Sequence, residues 1–148
     1  MNKLMSILIG AALLTFAASC GSGGDSDKSK PGIKKIEPAK PEMSERMVKS
    51  VDVPETIDEA MVEEGKTIYE ANCTACHKIE KRFVGPALAG IADRREHTWI
   101  MNMILDPEFM VKNDEIARNL LMEFSAPMAN QNLSKDEARK ILEYFRTL

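Results

Sequence analysis

Cys73-Thr74-Ala75-Cys76-His77 is the stretch on which the chemistry of this 148-residue chain depends. Cys-x-x-Cys-His is the attachment signature of a c-type haem. Each thiol can add to one vinyl group of the haem, and the adjoining His77 can then ligate the iron from one face. The motif therefore predicts one haem, held covalently through Cys73 and Cys76, with His77 as an axial ligand.

Two other kinds of site use a Cys-x-x-Cys pair. A thioredoxin-like redox pair needs no adjoining histidine and occurs beside a βαβ pattern, whereas this chain shows no strand-like alternation. A zinc site needs four ligands, and the sequence offers no second Cys-x-x-Cys and only one further histidine, His97. Haem attachment is therefore favoured over both.

The third cysteine, Cys20, follows a typical export signal. A short positive start, Met1-Asn2-Lys3, precedes an apolar run from Leu4 to Ala18, which is shorter than the ~20 residues of a membrane-spanning helix. The run ends in small residues before Cys20, which resembles a bacterial lipoprotein signal. We expect residues 1–19 to be a signal peptide and Cys20 to be lipidated, holding the exported protein at the periplasmic side of a bacterial membrane. The alternative is an ordinary secretory signal that leaves Cys20 as a free thiol.

The remaining chain divides into a linker and a domain. Residues 20–55 are rich in glycine, serine, charge and proline, and their apolar residues are too sparse for a core, so we expect a lipid-anchored disordered linker. Residues 56–148 form the domain, for which a covalent haem would supply the apolar core that a small domain lacks. Its 12 basic and 16 acidic side chains weigh against a nucleic-acid partner. We expect a monomer.

The domain is predicted to be all-α, with four helices. The first starts at Thr56, which can form a capping box with Glu59, and runs to Asn72. The second runs from Thr98 to Leu105, where Asp106-Pro107 stops it. The third covers Asp114 to Phe124, with Ile116, Leu120, Leu121 and Phe124 as its apolar face. The last starts at Ser134, in a capping box with Glu137.

These features together resemble the small monohaem cytochromes c with His/Met-ligated iron, over about residues 58–148. Gly65, Tyr69 and Cys73 follow at four-residue spacing, and in that family such a glycine lets the first and last helices cross closely. A glycine within a helix costs ~1 kcal/mol relative to alanine, which also argues for a packing reason. Leu142 and Phe145 match the partner residues on the last helix. The resemblance implies a fold of about four helices wrapped around one haem.

The stretch from Phe83 to Ile91 resembles the loop beneath the haem of that family. There the carbonyl of Pro86 would accept a hydrogen bond from Nδ1 of His77, as metal-ligating histidines usually require. The resemblance also implies that Leu88 packs on the ring and that the Trp99 indole reaches a haem propionate. Plain core packing is the alternative for Trp99.

The second axial ligand is expected among ten methionines. Met128 follows Pro127 in the irregular stretch before the last helix, and the family resemblance implies that it ligates the iron. The family usually has Met-Pro here, whereas this chain has Pro127-Met128-Ala129. Met122 and Met110 are the other candidates, and His97 is expected to be a solvated residue at a helix start.

His/Met ligation leaves no open iron position and raises the reduction potential. We therefore expect a one-electron carrier, not an enzyme, with redox proteins as partners in a periplasmic respiratory chain. The alternative is a gas sensor or peroxidase-like enzyme with a labile sixth ligand. Residues 94–106 and 126–133 resemble lipoprotein cytochromes that accompany nitrous-oxide reductase in some Gram-negative bacteria, and a haem-copper oxidase is the rival acceptor. The segment 108–124 is longer than expected and is predicted to shield a haem edge.

Overall fold

Residues 42–148 are the part of the chain that the computed structural model describes, and within this range the structure is helical and has no strand. The helices are α1 (Glu59–Asn72), α2 (Ile91–Arg94), α3 (His97–Leu105), α4 (Pro107–Asn113), α5 (Glu115–Phe124) and α6 (Lys135–Phe145). The all-α prediction is confirmed, with two short helices beyond the expected four. The predicted signal peptide, Cys20 and the first part of the predicted linker lie outside the described residues.

The crossing of α1 over α6 depends on Gly65. A Cβ atom at this position would lie 2.0 Å from the carbonyl oxygen of Lys140 and 2.4 Å from its carbonyl carbon, so the two backbones touch. One turn further along α1, Tyr69 is 3% exposed and packs against Tyr144 and Phe145, with ring centroids 5.6 and 5.8 Å apart. The packing reason predicted for the glycine is thus present.

The start of α1 differs from the prediction. The helix begins at Glu59 and not at Thr56, and its N-cap is Asp58, whose carboxylate accepts hydrogen bonds from the backbone N–H groups of Ala60 and Met61 at 3.0 and 3.1 Å. The backbone N–H of Asp58 donates to Glu143 Oε1 at 2.9 Å, which fixes this start on α6. At α6, by contrast, the predicted capping box of Ser134 and Glu137 is present.

Glu143 is a buried carboxylate that ties the entry of α1 to α6. Burial by itself would raise its pKa, but hydrogen bonds from the Asp58 N–H and from Arg139 and Arg146 outweigh that effect and lower the pKa. The group is therefore a paired carboxylate and contributes to stability only while it is charged.

The Asp106-Pro107 step ends α3, as predicted, but it also begins α4. Asp106 accepts a hydrogen bond from the Phe109 N–H at 3.0 Å, and Pro107 occupies the first turn, where a missing N–H costs nothing. Asp114 likewise separates two helices. It ends α4 and caps α5, where its carboxylate accepts a hydrogen bond from the Ala117 N–H at 2.8 Å. The long segment expected between 108 and 124 is therefore two helices.

Residues 43–55, which we call the N-terminal arm, pack on the helices. Met47 is buried, and Val48, Val51 and Val53 pack against the main core. The side chain of Asn102 on α3 binds the backbone of Val48 in both directions, accepting from its N–H at 2.8 Å and donating to its carbonyl at 3.0 Å. The predicted linker end at residue 55 is therefore wrong, because these apolar side chains find a helical surface that the local composition does not show.

Gly65→Ala should lower the free energy of unfolding of the haem-loaded protein by about 1–3 kcal/mol or more, because the added methyl group overlaps the Lys140 backbone. Thermal unfolding followed by far-ultraviolet circular dichroism measures this. Ala71→Gly, at an exposed position of the same helix, should cost only the ~1 kcal/mol of helix propensity. A Gly65→Ala protein as stable as the wild type would contradict the close crossing.

Candidate haem site

An apolar cavity of about 370 Å³ lies between the end of α1, the loop that follows it, α3, α5 and the loop before α6. This is in the size range of cofactor clefts. Its lining includes every residue that the sequence predicted for cofactor binding: Cys73, Cys76, His77, Pro86, Leu88, Trp99 and Met128. The fold therefore gathers around one space side chains that are up to 55 positions apart, from Cys73 to Met128.

The attachment motif forms a turn at the end of α1. Cys73 is the C-cap of α1, and its carbonyl accepts hydrogen bonds from the N–H groups of Cys76 and His77 at 3.1 and 2.9 Å. Burial, with a smaller effect of the Cys76 thiol, raises the pKa of Cys73 to about 11. A redox-active Cys-x-x-Cys needs a thiol pKa shifted the other way, so this site does not favour thioredoxin-like chemistry.

His77 is oriented by the loop that follows the motif. Its Nδ1 lies 3.1 Å from the carbonyl oxygen of Pro86. A proton on Nδ1 donates to this carbonyl and leaves Nε2 with the lone pair that a metal needs. Gly85 makes room for the ring, because a Cβ atom there would lie 2.6 Å from Cε1 of His77. This is the geometry that the resemblance implied for His77 and Pro86.

Trp99 lines the cavity, but its N–H has a protein partner. Nε1 donates to Oδ1 of Asp114 at 3.0 Å, the same carboxylate that caps α5. In this structure Asp114 is thus the partner of the indole N–H, and the predicted contact of Trp99 with a propionate stays a prediction. The bond joins α3 to the start of α5 and so helps to hold α5 beside the cavity.

Arg94 and Arg95 were not predicted as site residues, yet they are the two cationic side chains in the lining of this cavity within the described part of the chain. Arg94 donates to the carbonyls of Ala87 and Ala89, and the guanidinium of Arg95 lies 5.6 Å from the Trp99 ring centroid. A guanidinium suits a carboxylate such as a haem propionate. In the sequence the pair belongs to no motif that would assign it to a cofactor.

Two methionines line the cavity, Met128 in the loop before α6 and Met103 on α3. Sequence reasoning missed Met103, which also packs against the small core cluster around Met110. Met110 is buried in that cluster and Met122 is 66% exposed, and the cavity lining includes neither of them, nor His97.

Helix α5 forms one wall of the cavity through Ala117, Leu120, Leu121 and Phe124. Ile116, predicted on the same face, is 39% exposed and points away from the core. The end of α5 is fastened to the loop after the motif, because Arg82 donates to the carboxylate and the backbone carbonyl of Glu123 at 2.9 and 3.0 Å. Its guanidinium also stacks 3.9 Å from the centroid of the Phe124 ring.

These residues fit a covalent haem. Two thiols stand at a helix end beside an oriented imidazole, a glycine leaves space for that imidazole, and the walls are largely apolar with two guanidinium groups for carboxylates. The cytochrome c family profile matches residues 62–148. The chain belongs to the cytochrome c family. It therefore carries a covalently attached c-type haem, and its one attachment motif corresponds to one haem.

Solved structures and a curated relative agree. Cytochrome c from Rhodothermus marinus is 39% identical, with a TM-score of 0.66 over 68% of this chain and 86% of that one. An engineered form of the Rhodothermus protein bound to a carbene intermediate is 39% identical, with a TM-score of 0.63 over 68% of this chain and 87% of that one. A cytochrome c-553-like protein of Synechocystis sp. is 26% identical over 85 residues, which span 57% of this chain and 66%, just under two thirds, of the relative.

Gly85→Ala should displace the His77 ring, because the new methyl group would lie within 3 Å of two ring atoms. We expect a loss of about 1–3 kcal/mol in the free energy of unfolding and a changed ferric electron paramagnetic resonance spectrum. Ala75→Gly, at an exposed position inside the motif, is the control and should keep the wild-type spectrum. An unaltered Gly85→Ala spectrum would show that the glycine does not position His77.

Proposed function

We propose that this cytochrome c is a one-electron carrier of a periplasmic respiratory chain, with His77 and Met128 as the axial ligands of its haem. The observation that carries the proposal is that both side chains line one apolar cavity in which Pro86 already orients His77. When bound, the haem supplies an iron centre that cycles between two oxidation states. Ligation by histidine and methionine leaves no open coordination position and favours electron transfer over chemistry at the iron.

The remaining residues of the cavity have supporting roles in this proposal. Cys73 and Cys76 hold the cofactor permanently, and Arg94 and Arg95 meet its propionates. The apolar side chains of α5 exclude water from one side. A dry and fixed environment lets both oxidation states keep nearly the same geometry.

A gas sensor or peroxidase-like enzyme with a labile sixth ligand is the second candidate. The observation in its favour is the engineered Rhodothermus relative, which is described in complex with a carbene intermediate. The two candidates differ in one property, which is whether Met128 stays on the iron.

Replacing Met128 with Ala should open the iron. Ferrous protein should then bind CO readily, where the wild type binds it poorly, and the reduction potential should fall because the soft thioether preferentially stabilises Fe(II). CO titration and redox potentiometry measure both effects. Met103→Leu, at the other methionine of the cavity, is the matched control and should keep the wild-type spectrum and CO response.

Two results would contradict the His77/Met128 assignment. One is a wild-type protein without the methionine-to-ferric-iron charge-transfer band. The other is loss of that band in Met103→Leu and not in Met128→Ala. Ready binding of CO by the wild type would favour the sensor or enzyme.

The acceptor in this proposal is a terminal reductase or oxidase. Nitrous-oxide reductase is supported by the likeness of residues 94–106 and 126–133 to the lipoprotein cytochromes that accompany it. These two stretches contribute Arg94, Arg95 and Met128 to the cavity lining. A haem-copper oxidase suits the same one-electron chemistry.

The proposal includes a lipid anchor at Cys20. Wild-type protein should fractionate with membranes, because the acyl chains of a lipoprotein hold it there stably. Cys20→Ser should be released as soluble periplasmic protein or retained as unprocessed precursor. Mass spectrometry of the mature N-terminus checks this directly, and an unmodified thiol at Cys20 would count against the anchor.

A further inference from the structure

Arg46, in the N-terminal arm, bonds to two distant parts of the fold. Its Nε donates to the carbonyl of Leu105, the last residue of α3, at 3.0 Å. Its Nη2 donates to the carbonyl of Leu133 at 3.3 Å and to Oδ1 of Asn130 at 3.4 Å. Leu133 and Asn130 belong to the loop of residues 125–133, which contains Met128 and which we call the methionine loop.

We propose that Arg46 is a positioning residue for the axial methionine, because it fastens the methionine loop to the end of α3. The inference rests on the proposed ligation by Met128. It adds Arg46 to the residues that place Met128, from which Arg46 lies 82 positions away in sequence. Arg46 binds the backbone of the methionine loop and the side chain of Asn130.

The methionine loop has little regular structure of its own to hold it. It contains two residues with positive φ, Ser125 at 52° and Asn132 at 55°. On the side before Met128 the loop is continuous with α5, where the Ser125 N–H donates to Leu121 at 2.8 Å. On the side after Met128, Asn130 Oδ1 accepts from the Asn132 N–H at 2.8 Å and closes a small turn. Arg46 binds at this turn and just beyond it.

Arg46 itself stands on a fixed backbone. The neighbouring Met47 is buried, and Asn102 holds Val48 through two hydrogen bonds. A guanidinium has several donors in a rigid fork, so it can serve three acceptors on two elements at once, which a lysine ammonium on a flexible stem does poorly. Hydrogen bonds from a charged donor are also stronger than neutral ones.

The consequence for the iron follows from competition. An external ligand such as imidazole binds ferric iron only when Met128 leaves, so its apparent affinity reports how firmly the loop holds the thioether in place. Loosening the loop raises that affinity. It also lowers the reduction potential, because Fe(II) gains most from the thioether.

The test uses the full-length, haem-loaded protein and a titration of the ferric form with imidazole. Arg46→Ala should bind imidazole about tenfold more tightly, which corresponds to about 1.4 kcal/mol of lost loop fixation, and its reduction potential should be lower. The imidazole affinity of Arg46→Lys should lie between those of the wild type and Arg46→Ala. This variant carries the test if the alanine protein does not fold.

Arg146→Ala is the matched control. Arg146 also binds the N-terminal arm, donating to the carbonyls of Pro54 and Glu55 at 2.7 and 3.1 Å, but it connects the arm to Glu143 on α6 and not to the methionine loop. This variant should lose thermal stability and keep the wild-type imidazole affinity. Lys49→Ala removes a charge from an exposed position of the arm and should leave both thermal stability and imidazole affinity unchanged.

The outcomes separate this inference from the proposed function. A wild-type protein without the methionine charge-transfer band would overturn both. With the band present, an Arg46→Ala protein with unaltered imidazole affinity would overturn the positioning role alone. Equal gains in imidazole affinity for Arg46→Ala and Arg146→Ala would overturn it too, since they would report general loosening of the arm.

Discussion

The backbone contact between α1 and α6 at Gly65 positions the two segments of the chain that border the haem cavity, the attachment motif and the methionine loop. It fixes the direction of α1, and the attachment motif is the turn in which α1 ends. It also fixes the start of α6, from which the methionine loop runs back toward α5. His77 follows the end of α1, and Met128 precedes the start of α6. A side chain at position 65 would push these two helices apart and so change the place of His77 relative to Met128, the proposed second ligand.

The parts of the fold that could be predicted are those that local chemistry decides. Ser134 and Asp114 each have a clear capping role, and the helices start where the sequence indicates. The sequence predicts Thr56 as the start of α1, whereas the N-cap is Asp58, whose N–H donates to Glu143 from 85 residues away. Asp106-Pro107 shows a second limit of local chemistry, because the pair that stops one helix is also suited to begin the next.

The site divides in the same way. Cys73, Cys76 and His77 lie within five residues of one motif, and the family resemblance implies the role of Pro86. The partner of the Trp99 N–H could not be assigned from the sequence, since Asp114 lies 15 residues further on and the helix pattern does not show which element it faces. Arg94 and Arg95 belong to no cofactor motif, and only the fold brings them to the cavity.

Under the proposed ligation by Met128, the difference between an electron carrier and a haem protein with an open coordination position depends on how firmly the methionine loop holds that side chain. A thioether is a weak ligand, and each 1.4 kcal/mol of loop fixation changes the equilibrium constant between its bound and released states tenfold. Arg82 binds the end of α5 before Met128, and Arg46 binds the loop after it. Each arginine binds a backbone carbonyl and a side chain of its target, and none of these acceptors is a proposed ligand of the iron. We therefore expect that a cytochrome c without either arginine would keep the same helices and attachment motif but release the proposed methionine ligand more readily.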